Sequence, residues 1–175
     1  KIMRKSLNSF EKIIGIKFKN QNLLLQSLTH KSNNPLNNNE KLEFLGDRVL
    51  GLVISKNLYK LFPKDKEGDL DKKLASLVNK KRCVEISNYL SLKDYVLVVD
   101  NKDNSKIENK ILADTVESIV GALYLDQGLD VTEKFILNYW KRFLNEKLTI
   151  YRDPKTMLQE YSLCLLYTSD AADEE

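Results

Sequence analysis

The sequence predicts an all-α protein, and three observations predict it. Apolar residues recur at helical spacing through most of the chain. Capping and stopping residues bracket those runs. One short stretch alone, residues 94–100 (Asp-Tyr-Val-Leu-Val-Val-Asp), reads locally as a strand; it has no evident partner and is taken as an extended connector. Element by element, Asn8 or Ser9 caps a first helix through Phe10, Ile13 and Ile14 that stops at Gly15. Asn22 precedes a second through Leu23, Leu24, Leu25 and Leu28. Residues 32–39 (Ser-Asn-Asn-Pro-Leu-Asn-Asn-Asn) offer turn chemistry and no apolar period, so they form a loop. A long helix follows from about Glu40 to Leu61 and ends before Pro63, because proline disfavours helical geometry in the residue ahead of it. Residues 64–68 make a charged turn, Asp69 caps a helix through Leu70, Leu74, Leu77 and Val78, and 84–90 make a shorter one. Two closing helices, 111–125 and 131–148, are separated by Gly128.

The 175 residues suffice for one substantial core, and 42% hydrophobic with 30% charged residues is an ordinary globular composition. No run of about eighteen apolar residues occurs, so no membrane span is expected. The opening Lys-Ile-Met-Arg-Lys lacks a secretory leader's apolar stretch, which points to a cytoplasmic protein. Cys83 and Cys164 stand far apart and form no CxxC pair, against a disulfide framework or a cysteine zinc site. A single histidine, His30, removes chemistry built on paired imidazoles. Any metal must therefore be held by oxygen, which favours a hard cation, Mg²⁺ or Mn²⁺. The net charge of +3 is uneven: residues 1–110 carry 22 Lys and Arg against 13 Asp and Glu. Only five cations are arginine, and a lysine-rich face suits phosphate contact by point charges; a merely solvated surface is the other reading.

The strongest chemical signal is residues 39–47, Asn-Glu-Lys-Leu-Glu-Phe-Leu-Gly-Asp. At about 100° per residue, Glu40, Glu43 and Asp47 fall within an arc of roughly 60°. Leu50 and Ile54 flank them, Phe44 lies on their other side, and Leu42, Leu45, Val49 and Val53 take the opposite face, so the stripe is expected to face a cleft. A second pair, Asp114 and Glu117, sits one turn apart on one face of a very apolar segment. Buried acids at that spacing need a metal or cations, so the bare pattern leaves metal ligation and salt-bridged structural acids both open. A third acidic place, residues 64–69, is weaker: such a turn is usually solvated.

Together these residues carry a family resemblance. The nine residues from Asn39 to Asp47 resemble the signature of ribonuclease III. Thr29-His30-Lys31-Ser32, then Glu67-Gly68-Asp69 with Leu74-Ala75-Ser76-Leu77-Val78, and Leu112-Ala113-Asp114-Thr115-Val116-Glu117 are similar to its other blocks, in the same order, over residues 7–161. The resemblance implies the helical endonuclease-domain fold of that family. It implies a homodimer that hydrolyses double-stranded RNA with Mg²⁺ (Mn²⁺ as substitute), leaving 5′-phosphate and 3′-hydroxyl ends, in the processing of rRNA, mRNA and other structured RNA. By position, Glu43, Asp47, Asp114 and Glu117 match metal-binding residues, Asp47 and Glu117 also the catalytic ones, and Glu40 and Glu67 match accessory acids. The competing reading is a catalytically silent scaffold of the same fold that binds structured RNA; six retained carboxylates speak against it.

The same reading divides the chain into a catalytic domain (1–150), a linker with the start of a truncated double-stranded-RNA-binding domain (151–161), and a tail of different character (162–175). His30 is expected to fix a helix–loop junction, Gly46 to permit close helix packing, and Tyr124, Tyr139 and Trp140 to be core or interface aromatics. Lys72, Lys73, Lys80, Lys81 and Arg82 either line an RNA path or form a solvated face. Arg48 is bulkier than the small residue expected after Asp47, and pairing with an acid is its expected role.

Overall fold

The structure, a computed structural model, describes residues 5–99 and 108–145. Among them the chain forms seven α-helices, one 3₁₀ turn and no strand: α1 (Leu7–Ile14), α2 (Gln21–Ser27), α3 (Glu40–Leu61), α4 (Glu67–Leu77), α5 (Lys80–Tyr89), the 3₁₀ turn Leu92–Asp94, α6 (Asn109–Gln127) and α7 (Leu129–Asn145). The linker and tail at 151–175 lie outside the described residues, as does the end of the last helix expected at 148.

Helix starts differ from expectation by a few residues, and side-chain caps explain several of the shifts. Ser6, not Asn8 or Ser9, caps α1, accepting from the Ser9 N–H. Asn20 rather than Asn22 caps α2, accepting from the Asn22 N–H. Asn79 accepts from the Arg82 N–H at 3.0 Å, so α5 begins at Lys80 and not at Val84. Asp69 is not a cap: α4 starts at Glu67, and Asp69 sits in its first turn, where a negative charge suits the helix dipole. The connector before α6 is extended as expected and does find a partner. Leu97 donates to the Leu28 carbonyl at 2.7 Å and accepts from the His30 N–H at 2.9 Å, making one parallel bridge between Thr29 and Leu97.

α6 is the hub. Ten of its residues are buried, and it packs against α2, α3, α5 and α7. Its closest neighbour is α3, and two glycines set that approach. A Cβ on Gly46 would overlap the carbonyl oxygen of Glu117 and stand 2.8 Å from the Gly121 nitrogen; a Cβ on Gly121 would overlap the Leu42 carbonyl oxygen. Backbone thus meets backbone, and only glycine at both positions permits it. The rest of the core closes around this seam: Trp140 of α7 is fully buried and its Nε1 donates to the Leu77 carbonyl at 3.0 Å, tying α7 to α4. Tyr139 is buried too, whereas Tyr124 is partly exposed. Among the described residues no helix is long and apolar enough to cross a membrane.

Candidate metal centre

The glycine seam brings the acids of two helices face to face. Glu43 lies just under one turn before Gly46 on α3, and Glu117 is the α6 residue whose carbonyl touches Gly46. Asp114 follows on the same α6 face, one turn earlier. One carboxylate oxygen from each of Glu43, Asp114 and Glu117 lies within 4.8 Å of the others. All three are half-buried.

The flanks of the cleft differ from the sequence expectation. Leu50 and Ile54 are buried, but Phe44 is 68% exposed and forms no wall; the Arg48 guanidinium lies over its ring instead. Asp47 is on the α3 stripe but outside the group of three, and its carboxylate is paired with Arg48. That pairing answers the expected role of Arg48. Glu40 is exposed at the rim and accepts from Lys31 Nζ at 2.7 Å, which holds its carboxyl below the usual range. Glu67 heads α4, exposed and outside the group.

Burial and crowding of like charge act together on the three acids. Burial, then the charges of Asp47, Glu43 and Asp114, push Glu117 up to about 7. Glu43 is raised by burial and by Asp114. Asp114 is raised by burial, and the pull of Lys110, Lys80, His30 and Lys31 opposes the shift. The donor set is all oxygen and anionic, and its members destabilise one another when ionised, so the residues fit a hard divalent cation. Structural salt bridging is not the arrangement: among the described residues no lysine or arginine forms an ion pair with Glu43, Asp114 or Glu117.

His30 holds the junction beside the site. Its Nδ1 lies 2.9 Å from Ser32 Oγ and accepts from the Ser32 N–H at 3.2 Å, while Asn39, at the head of α3, donates its N–H to the Thr29 carbonyl. Lys73 leaves the list of RNA-facing cations: it is buried, 2.5 Å from Asp65 and over the Phe62 ring. Arg82 stacks on Phe143 and pairs with Glu85. Two residues at the site were missed from sequence. Lys110 stands four residues before Asp114, a spacing that could have revealed it. Cys83 lies behind Glu117 from another helix, and no spacing rule announces that.

A family model described as Ribonuclease-III-like matches residues 20–143. The chain is 54% identical over 154 residues to a Ribonuclease 3 of Pelagibacter ubique, covering 87% of this chain and 69% of that protein. It is 41% identical over 163 residues to a Ribonuclease 3 of Wolinella succinogenes, covering 89% and 67%. Among solved structures, the nuclease domain of ribonuclease III from Campylobacter jejuni, described as flexible in a region involved in dimer formation, matches with a TM-score of 0.75 at 40% identity. That match covers 78% of this chain and 97% of that one. Fold and acid-lined seam together thus define a helical nuclease domain. The chain belongs to the ribonuclease III family, the double-strand-specific endoribonucleases.

Proposed function

We propose that this chain hydrolyses phosphodiester bonds in double-stranded RNA with Mg²⁺, or Mn²⁺ in its place, and leaves 5′-phosphate and 3′-hydroxyl ends. Its substrates are rRNA precursors and other structured RNAs, its compartment the cytoplasm and its working form a homodimer. One observation carries the reading: three carboxylates from α3 and α6 converge with no ion pair to a lysine or arginine among the described residues.

A divalent cation, when bound, would neutralise charge on the phosphodiester and make a water molecule more acidic. The protein's own residues do the remainder. Glu43, Asp114 and Glu117 would hold the cation, and Asp47, now paired with Arg48, would be the fourth acid. Glu117 and Asp47 are the catalytic pair; burial and crowding by like charge raise Glu117 to about 7 without a cation, and a bound cation would favour its ionised form. Glu40 and Glu67 act as accessory acids at the rim. Lys31, Lys80 and Lys110, which already act on Asp114 electrostatically, face the phosphate backbone. A-form RNA hides its base edges in a deep, narrow groove, so recognition rests on shape, phosphate and 2′-hydroxyl. Phe44 and Leu52, both more than half exposed and eight residues apart on α3, offer apolar area for a second copy beside the acids.

The test is cleavage of labelled duplex RNA with Mg²⁺ at low salt, beside Ca²⁺, EDTA, single-stranded RNA and Glu117→Gln controls. Cutting that needs Mg²⁺, spares single strands and disappears in the variant is expected. A folded dimer that binds duplex and never cuts it would overturn the reading in favour of a silent scaffold.

A further inference from the structure

Behind the carboxylate cluster, on the side away from solvent, stands one thiol. Cys83 of α5 is fully buried, and its Sγ lies 3.8 Å from Glu117 Oε1, within reach for the large sulfur atom. Among the described residues it is the hydrogen-bond donor that the Glu117 side chain meets. Glu43 and Asp114, the other two members, meet no comparable side-chain donor there.

We infer that Cys83 is a positioning residue for Glu117: its S–H donates to Oε1 and holds the carboxylate toward Glu43 and Asp114 without neutralising it. This rests on the metal reading above.

The choice of donor follows from what a ligand must do. A free glutamate side chain loses rotamer freedom when fixed, so a ligand already held binds its cation more tightly. A lysine or arginine would hold it firmly but bring a positive charge that competes with the metal. A thiol is a weak, neutral donor that occupies one lone pair on one oxygen and leaves the others for coordination. Full burial suits a thiol that keeps its proton and donates it. An apolar wall at this place would instead leave Oε1 facing carbon. The alternative is a cysteine that merely fills core volume between α5 and α6 as a small hydrophobe. The two differ in a measurable way, because valine (slightly larger) and alanine (smaller) bracket the volume and lose the donor, while serine keeps a donor and loses a little volume.

The experiment titrates Mn²⁺ into the full chain, following free Mn²⁺ by electron paramagnetic resonance, for the wild type, Cys83→Val, Cys83→Ser and Cys83→Ala. Thermal unfolding is recorded in parallel. The expected result is Mn²⁺ binding weakened about three- to tenfold in Cys83→Val, less than the roughly 10–100-fold that outer-shell partners usually carry because a thiol is a weak donor. Cys83→Ser stays within about twofold of wild type. Should Cys83→Val not fold, Cys83→Ala supplies the donorless comparison against serine. A donorless variant binding Mn²⁺ as wild type does would overturn the inference, and so would serine failing as badly as valine. Either result leaves the metal reading standing. A wild type that binds no Mn²⁺ would sink both together.

Discussion

Two regions of this protein place carboxylates out of open water, and they do it in opposite ways. Glu11 of α1 is only 8% exposed, and its Oε1 accepts from the Phe18 N–H at 2.8 Å and from Gln21 Nε2 at 2.5 Å. Close by, Asp126 of α6 accepts from the N–H groups of Lys19 and Asn20, each at 2.8 Å. These acids are answered by fixed donors and pin the 15–20 turn to the ends of two helices. At the α3–α6 seam the acids face one another, and a single weak thiol answers them. A half-buried carboxylate with satisfied lone pairs is architecture. One left among like charges is unsatisfied, and a cation there would relieve it.

Four experiments break or sharpen that contrast, from the largest expected effect to the smallest. Glu117→Gln removes a ligand and a catalytic group, and cleavage of duplex RNA should fall by at least about 10³-fold, several kcal/mol of lost transition-state stabilisation. Circular dichroism and light scattering should find fold and dimer unchanged. Gly46→Ala drives a methyl group into the Glu117 backbone. It should destabilise the protein by about 3 kcal/mol or more in urea unfolding, since neither backbone can yield as a side chain would. Mn²⁺ affinity should drop with it as Glu43 and Glu117 are forced apart.

Glu11→Ala tests the architectural region. It strands the buried Phe18 N–H and should cost about 1–3 kcal/mol in the same unfolding assay, while the cleavage rate per folded molecule stays at the wild-type value. A rate loss larger than the loss of folded protein would erase the distinction drawn between the regions.

The smallest effect is on pH dependence. Glu117 ionises about 7 in the folded protein against an ordinary 4.5, so between those values the folded state keeps a proton that the unfolded chain has released. Its contribution is therefore present below about pH 4.5 and lost as pH rises through about 7. Metal-free protein should lose melting temperature across that window, Glu117→Gln should flatten the loss, and saturating Mn²⁺ should restore stability at pH 8.

Much of this was legible in the chain. Helical periodicity gave α3 its full span, and spacing put Glu43 on a stripe with Glu40 and Asp47 and paired Asp114 with Glu117, while only the family resemblance joined the two sets. Capping was legible in kind but not in place, since Ser6, Asn20 and Asn79 each stood near another residue able to do the same work. The surroundings of the acids were harder. Nothing in the local pattern says that Phe44 points to solvent, that Lys73 turns inward to Asp65, or that Arg48 takes Asp47. Those outcomes depend on which helices lie opposite, and helical spacing within one element does not encode its neighbours. Cys83 is the extreme case, meeting Glu117 across 34 residues and a change of helix.

The hub position of α6 also has a consequence in time. The ribosome delivers Glu43 about 70 residues before Asp114, a lag of ~4–14 s at about 5–20 residues per second. Until then the faces of α2, α3 and α5 that pack on α6 have nothing to cover them, because that common partner is still unmade. The three acids are thus brought together only once α6 is made, and the core closes only when α7 follows it. No half-made chain holds all three acids together, so the nascent protein cannot assemble this cutting centre before it has a fold in which to hold it.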